Sequence, residues 1–126
     1  MTTTSRPLRA LVVEDEAIIA MLMEEMLSEL GHTAVATAGR LEQATVAADS
    51  LDFDVAIVDV NLAGQASYPV AEILTRRSIP FVFVSGYGSS GLRPEWQHVA
   101  SVSKPVDTRQ LGEAIARAMA DPAPKP

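Results

Sequence analysis

The feature that most constrains this chain is an alternation, met five times, between short apolar runs of strand length and longer segments with helical spacing. The runs are Arg9–Val13, Thr33–Ala36, Val55–Val58, Phe81–Val84 and a weaker Val99–Val102. Most lack polar alternation, as expected of strands covered on both faces, which have no water-facing side to mark. Strands separated by helices in this way predict an α/β fold, a parallel sheet wrapped by helices.

Between the runs, Glu16 to Leu30 carries apolar residues at Ile18, Leu22, Met26 and Leu30 and stops at Gly31, which suits a helix with a glycine end. Further helices are expected over Arg40–Asp49, Pro69–Arg77 and Thr108–Ala120, with Pro69 fit for a first turn and Asp107 and Gln110 spaced as a capping pair. Gly86, Gly88, Gly91 and Pro94 crowd the stretch before the fifth run, so at most a short or mobile helix is expected there.

At 126 residues the chain has the length of one domain, and 48% hydrophobic with 21% charged residues is ordinary globular composition. The expected division is a domain over residues 8–120 with flexible tails at 1–7 and 121–126, the latter too proline-rich to continue a helix and leaving no room for an output domain. A net charge of −6 argues against a nucleic-acid partner, which calls for clustered Lys and Arg. The absence of cysteine excludes a disulfide framework or thiolate chemistry and fits a cytoplasmic protein. No apolar run is long enough to cross a bilayer, and residues 1–7 lack a signal-peptide core, so no membrane partner is expected.

In an open parallel sheet, ligands bind beyond the carboxyl ends of the strands. Those ends carry Glu14-Asp15-Glu16, Asp59 followed by Asn61, Ser85-Gly86, and Ser103-Lys104-Pro105. Carboxylates gathered at one rim repel unless a cation sits among them, and an all-oxygen set selects Mg²⁺ over zinc. Mg²⁺ shares its shell readily with phosphate, and an Asp carboxylate can act as a nucleophile to form an aspartyl phosphate. Asp59 is the best-placed nucleophile, Asp15 the main metal carboxylate, Glu14 its helper and Asn61 a donor through its backbone carbonyl.

Each residue also has a bland use. Asp59 could simply begin a turn, Ser85 could be a turn hydroxyl, and Lys104 could be solvated. The acidic triplet suits a helix N-terminus. Tyr87 could pack over the core edge or project outward. His32, His98 and Trp96 read as surface or packing residues, and the methionines at 21, 23 and 26 as core where they approach the sheet.

Taken together, Glu14-Asp15, Asp59, Ser85 and Lys104-Pro105, each after its own strand, resemble the receiver domains of two-component response regulators, and the likeness spans Leu8 to Ala120. It implies a flavodoxin-like sheet in order 2-1-3-4-5, Asp59 as phosphoacceptor, Glu14 and Asp15 as the acid pair, Ser85 as switch hydroxyl and Lys104 as the phosphate-contacting amine. It also implies a cis Lys104-Pro105 bond, a sensor histidine kinase or phosphotransfer protein as donor, a downstream protein target and a cytoplasmic location for the chain itself. One departure stands out. Many receivers carry Tyr or Phe three positions before the lysine, and here that position is Ser101. The stretch Phe81–Gly88 instead resembles the subgroup nicknamed FAT GUY through Phe83, Ser85, Gly86 and Tyr87, which implies an HWE-type kinase and makes Tyr87 a candidate switch reporter.

Three other functions stay open at this point. A small Mg²⁺-dependent phosphatase would need a general acid beside Asp59 and a pocket. A flavodoxin-like carrier would bring an anionic cofactor against Glu14 and Asp15. A constitutive interaction module that keeps the acid site without using it is compatible with Ser101.

Overall fold

The computed structural model describes residues 6–120, so most of the expected N-terminal tail and all of the C-terminal one lie outside the described residues. In chain order the elements are β1 (Arg9–Val13), α1 (Ala17–Glu29), β2 (Thr33–Ala38), α2 (Leu41–Ser50), β3 (Val55–Asp59), β4 (Asn61–Leu62), β5 (Gln65–Ala66), α3 (Tyr68–Arg76), β6 (Phe81–Ser85), β7 (Ser101–Ser103) and α4 (Thr108–Ala120). Five strands pair in parallel in the order β2-β1-β3-β6-β7, which is 2-1-3-4-5 when only strands of this sheet are counted.

Alternate residues of each central strand feed two separate cores, since successive side chains leave opposite faces of a sheet. Leu11, Val13, Ala56, Val58, Phe81 and Phe83 pack with Ala44 and Ala48 of α2 and Val70, Ala71 and Leu74 of α3. Ala10, Val12, Val55, Ile57, Val82 and Val84 pack with Ala20, Met23 and Leu27 of α1 and Leu111, Ala114 and Ile115 of α4. Burial on both faces is why β1, β3 and β6 read as unbroken apolar runs. The chain end of α4 that starts at Thr108 is capped as its spacing predicts, the Gln110 N–H donating to Asp107 Oδ1 at 2.7 Å.

Two local expectations, on the last strand and on His32, are corrected. The expected first helix forms, and its apolar residues divide: Ile18 is 74% exposed and Leu22 50%, Met26 and Leu30 pack part-buried against the core, and Ala20, Met23 and Leu27 are buried. Met23 is thus core, whereas Met21 faces outward. The last strand forms over Ser101–Ser103 rather than Val99–Val102: the Val99 N–H is taken by the preceding turn, donating to Trp96 O at 3.1 Å. The stretch before β7 is as short of helix as expected, with two 3₁₀ turns, Gly88–Gly91 and Pro94–Trp96. His32 is no bare turn residue, since its Nδ1 accepts the Leu8 N–H at 3.0 Å.

A feature with no sequence expectation is the β4–β5 hairpin between Asp59 and α3. Its two-residue turn places Ala63 at φ 51° and Gly64 at φ 90°. Positive φ at both central positions is the type I′ pattern, which matches strand twist but disfavours a residue such as Ala.

Candidate functional site

Because all five strands run the same way, their last residues share one rim. Glu14 follows β1, Asp59 ends β3, Ser85 ends β6 and Lys104 follows β7. Glu14, Asp15 and Asp59 each bring a carboxylate oxygen within 4.8 Å of the others. Glu14 and Asp59 are buried, at 2% and 3% exposure, and Asp15 is exposed. Lys104 Nζ donates to Asp59 Oδ2 at 2.9 Å and stands 4.0 Å from Glu14 Oε1. The Lys104–Pro105 peptide bond is cis.

Backbone amides fix the remaining oxygens. The Glu16 N–H donates to Glu14 Oε2 at 3.0 Å, and the Asn61 N–H donates to Asp59 Oδ1 at 3.1 Å. The Asn61 side-chain oxygen is engaged within the hairpin, accepting the Gly64 N–H at 2.7 Å. Ser85 is held beside Lys104 through the main chain, its carbonyl accepting the Lys104 N–H at 2.9 Å. Its hydroxyl, however, accepts the Tyr87 N–H at 3.0 Å and makes no bond to Asp59. Tyr87 is 81% exposed, so its tie to Ser85 runs through that backbone amide.

The electrostatics follow from placing three carboxylates beside one ammonium. Burial pushes the Glu14 carboxyl up to about 7, the Glu16 amide opposes this, and the Asp59 carboxylate adds to the rise. For Lys104, burial acts to lower the ammonium's pKa, but the hydrogen bond to Asp59 and the charges of Asp59 and Glu14 outweigh it and hold the pKa above the ordinary lysine value.

The donor set fits a hard divalent cation. Glu14 Oε1 is buried without a hydrogen-bond partner among the described residues, which is a costly state for a carboxylate unless a cation meets it. All nearby donors are oxygens, with no His or Cys in the cluster, and that is the chemistry of Mg²⁺ rather than zinc. No helix among the described residues is long and apolar enough to cross a membrane.

Sequence reasoning missed the packing in and beside the loop that follows Ser85. Gly91, in the first 3₁₀ turn, lies so close that a Cβ there would overlap the Ser85 hydroxyl. Tyr68, the first residue of α3, and Trp96, in the second turn, stack at 6.1 Å between ring centroids. Nothing local marks these positions, since the contact joins residues far apart in the chain.

Comparisons with known proteins agree with this geometry. The model of the response regulator receiver domain matches residues 10–116. The phyllosphere-induced regulator PhyR of Methylorubrum extorquens is 29% identical over 115 residues, covering 86% of this chain and 42% of that protein. The transcriptional regulatory protein PdtaR of Mycobacterium tuberculosis is 34% identical over 87 residues, covering 68% of this chain and 42% of its own length. The chain therefore spans about two fifths of the length of these curated relatives. Among solved structures, SdrG from Sphingomonas melonis Fr1 superposes with a TM-score of 0.81 at 35% identity, covering 92% of this chain and 99% of that one. With the family model matching most of its length and its strand ends meeting at a single acid rim, the chain belongs to the response regulator receiver domain family.

Proposed function

We propose that Asp59 is the phosphoacceptor of this receiver domain and that its phosphorylation changes which protein the domain binds. The family is one of signalling phosphoacceptors, not of metabolic enzymes. The observation that carries the assignment is the 2.9 Å contact of Lys104 Nζ with Asp59 Oδ2, made at the rim where Glu14 and Asp15 also converge.

In this reading the donor is a phosphohistidine on a sensor histidine kinase, HWE-type by the Phe81–Gly88 likeness, or on a phosphotransfer protein in the cytoplasm. A carboxylate oxygen of Asp59 forms the new bond to phosphorus while the bond from phosphorus to the donor imidazole nitrogen breaks, its electron pair staying on nitrogen. Glu14, Asp15, Asp59 and the Asn61 backbone carbonyl would hold Mg²⁺, which when bound would supply positive charge against the oxygens in transfer. Lys104 stays within reach of the same oxygens and offsets charge from the other side. Ser85, released from the Tyr87 N–H, turns its O–H to a phosphoryl oxygen, and the added charge of about −1.5 to −2 biases the adjoining loop and last helix toward or away from a target.

The test is intact mass after incubation with acetyl phosphate and Mg²⁺. The expected result is a single phosphoryl adduct in the wild type and none in Asp59→Asn. An adduct that survives the substitution, or none in either protein, overturns the assignment.

A further inference from the structure

Receivers with an aromatic residue on the last strand have a packed group that can register movement of the switch hydroxyl; here that position is Ser101, half-buried on β7 opposite Phe83 of β6. The packed aromatic group lies elsewhere. Tyr68, buried at the start of α3, sets its ring edge-on to Phe83 at 5.8 Å and stacks on Trp96 at 6.1 Å with an interplanar angle of 16°. Its phenol oxygen accepts the Arg93 N–H at 2.9 Å, and the Arg93 guanidinium carbon lies 4.5 Å over the same ring.

Tyr68 therefore touches both segments that leave the acid rim. On its N-terminal side the chain returns to Asp59 through the hairpin, and the Ser67 N–H donates to Val60 O at 2.8 Å. On the other side it grips Arg93 and Trp96, which close the loop after Ser85. Within that loop Leu92 is buried, its N–H donates to Ser89 O at 3.1 Å, and its carbonyl accepts the Gln97 amide at 3.0 Å. The turn that Leu92 ends, Gly88–Gly91, is the one that lies over the Ser85 hydroxyl.

We propose that Tyr68 is the positioning residue for Ser85: by fixing Arg93 and Trp96 it holds the Gly88–Gly91 turn over the Ser85 hydroxyl in the resting arrangement. This rests on the reading of Ser85 as the switch hydroxyl. When that hydroxyl leaves the Tyr87 N–H, the turn over it is no longer supported from below, and the displacement passes to the next fixed point, the Tyr68–Arg93–Trp96 contact. Trp96 is the chain's only tryptophan, so tryptophan emission reports the surroundings of this one residue, where it packs on Tyr68, Phe81 and Phe83.

The experiment uses the full chain in three forms: wild type, Asp59→Asn and Tyr68→Phe, which keeps the ring and removes the acceptor. Amide spectra of the resting proteins come first and need no phosphoryl group. Loss of one hydrogen bond should speed Arg93 amide exchange about fivefold, and the amide signals of Ser85, Tyr87 and Gly91 should move, an effect that simple loss of stability leaves out. Acetyl phosphate with Mg²⁺ is then added while mass and Trp96 emission are followed together. Emission is expected to shift with the adduct in the wild type, and Tyr68→Phe should start part of the way along that shift. Unmoved Ser85 and Gly91 signals in Tyr68→Phe, or an adduct at Asp59 with unchanged Trp96 emission, overturn the positioning role. Absence of any adduct instead sinks the phosphoacceptor reading, while the resting spectra still decide whether Tyr68 positions Ser85.

Discussion

Gly91 lies against the Ser85 hydroxyl with no room for a side chain between them. An added Cβ would also come within 3.2 Å of the Tyr87 Cβ, so an alanine there must lift the turn off Ser85. Gly91→Ala should cost about 1–3 kcal/mol in urea unfolding, as overpacking does. Gly86→Ala is the matched control: nothing stands within 4 Å of a Cβ at Gly86 and its φ is not positive. That substitution should be neutral or stabilise by up to about 1 kcal/mol. Equal costs at the two positions would show that the turn, and not its contact with Ser85, sets the tolerance.

Lys104 serves two neighbours with opposite consequences for its removal. Its ammonium offsets the Asp59 and Glu14 carboxylates, so Lys104→Met should leave the acid rim more negative and tighten Mg²⁺ binding. The same change removes a charged hydrogen bond from Asp59, the proposed phosphoacceptor, so the adduct from acetyl phosphate should accumulate about tenfold more slowly. Mg²⁺ titration by thermal shift, alongside the mass time course, reads both. Weaker Mg²⁺ binding together with slow transfer would mean that Lys104 organises the site sterically instead.

The parts of the fold legible in the sequence are those fixed by burial on two faces. β1, β3 and β6 are apolar throughout because each side chain enters one core or the other, and their ends mark the rim without further information. Asp59 and Lys104 could be placed there because parallel strands end on a common side. What the sequence left open was which of two neighbours turns inward: Glu14 is buried and Asp15 exposed, a difference set by the backbone after β1. The Asn61–Ala66 hairpin was hidden because Ala63 holds a position where Asn or Gly is the usual signal. The Tyr68–Trp96 stack was hidden because only the folded sheet brings α3 beside the loop after β6.

The first helix shows why periodicity alone misleads when nearly every residue is apolar. Residues 17–23 read Ala-Ile-Ile-Ala-Met-Leu-Met, so any spacing of three or four finds a stripe, and the one at Ile18 and Leu22 faces solvent. Leu27→Ala, at a fully buried position, should cost about 2–5 kcal/mol through lost transfer energy and a residual cavity. Leu22→Ala should cost under about 1 kcal/mol. Chemical denaturation of the pair decides the helix's inner face, and a larger loss at Leu22 would reverse it.

Far from the acid rim, the start of the sheet is pinned by charge. Asp54 Oδ2 accepts the Arg9 N–H at 2.8 Å, and Asp54 Oδ1 lies 3.3 Å from the Arg9 guanidinium, which also meets Asp52. The amide of Arg9, partly offset by burial and helped by the guanidinium, holds the Asp54 carboxyl below its ordinary 3.8. A folded value below the unfolded one means that the unfolded chain takes up the proton first as pH falls. The stabilisation is thus complete above 3.8 and drains away as pH falls from there through the lower folded value. Asp54→Asn keeps the shape but loses the charge, so it should destabilise by about 1 kcal/mol at neutral pH, the worth of one hydrogen bond strengthened by charge at a partly exposed site. The gap between the two proteins should then narrow in acid, read as urea midpoints measured at successive pH values. A gap that stays constant or widens below 3.8 would assign the contact to shape rather than to ionisation.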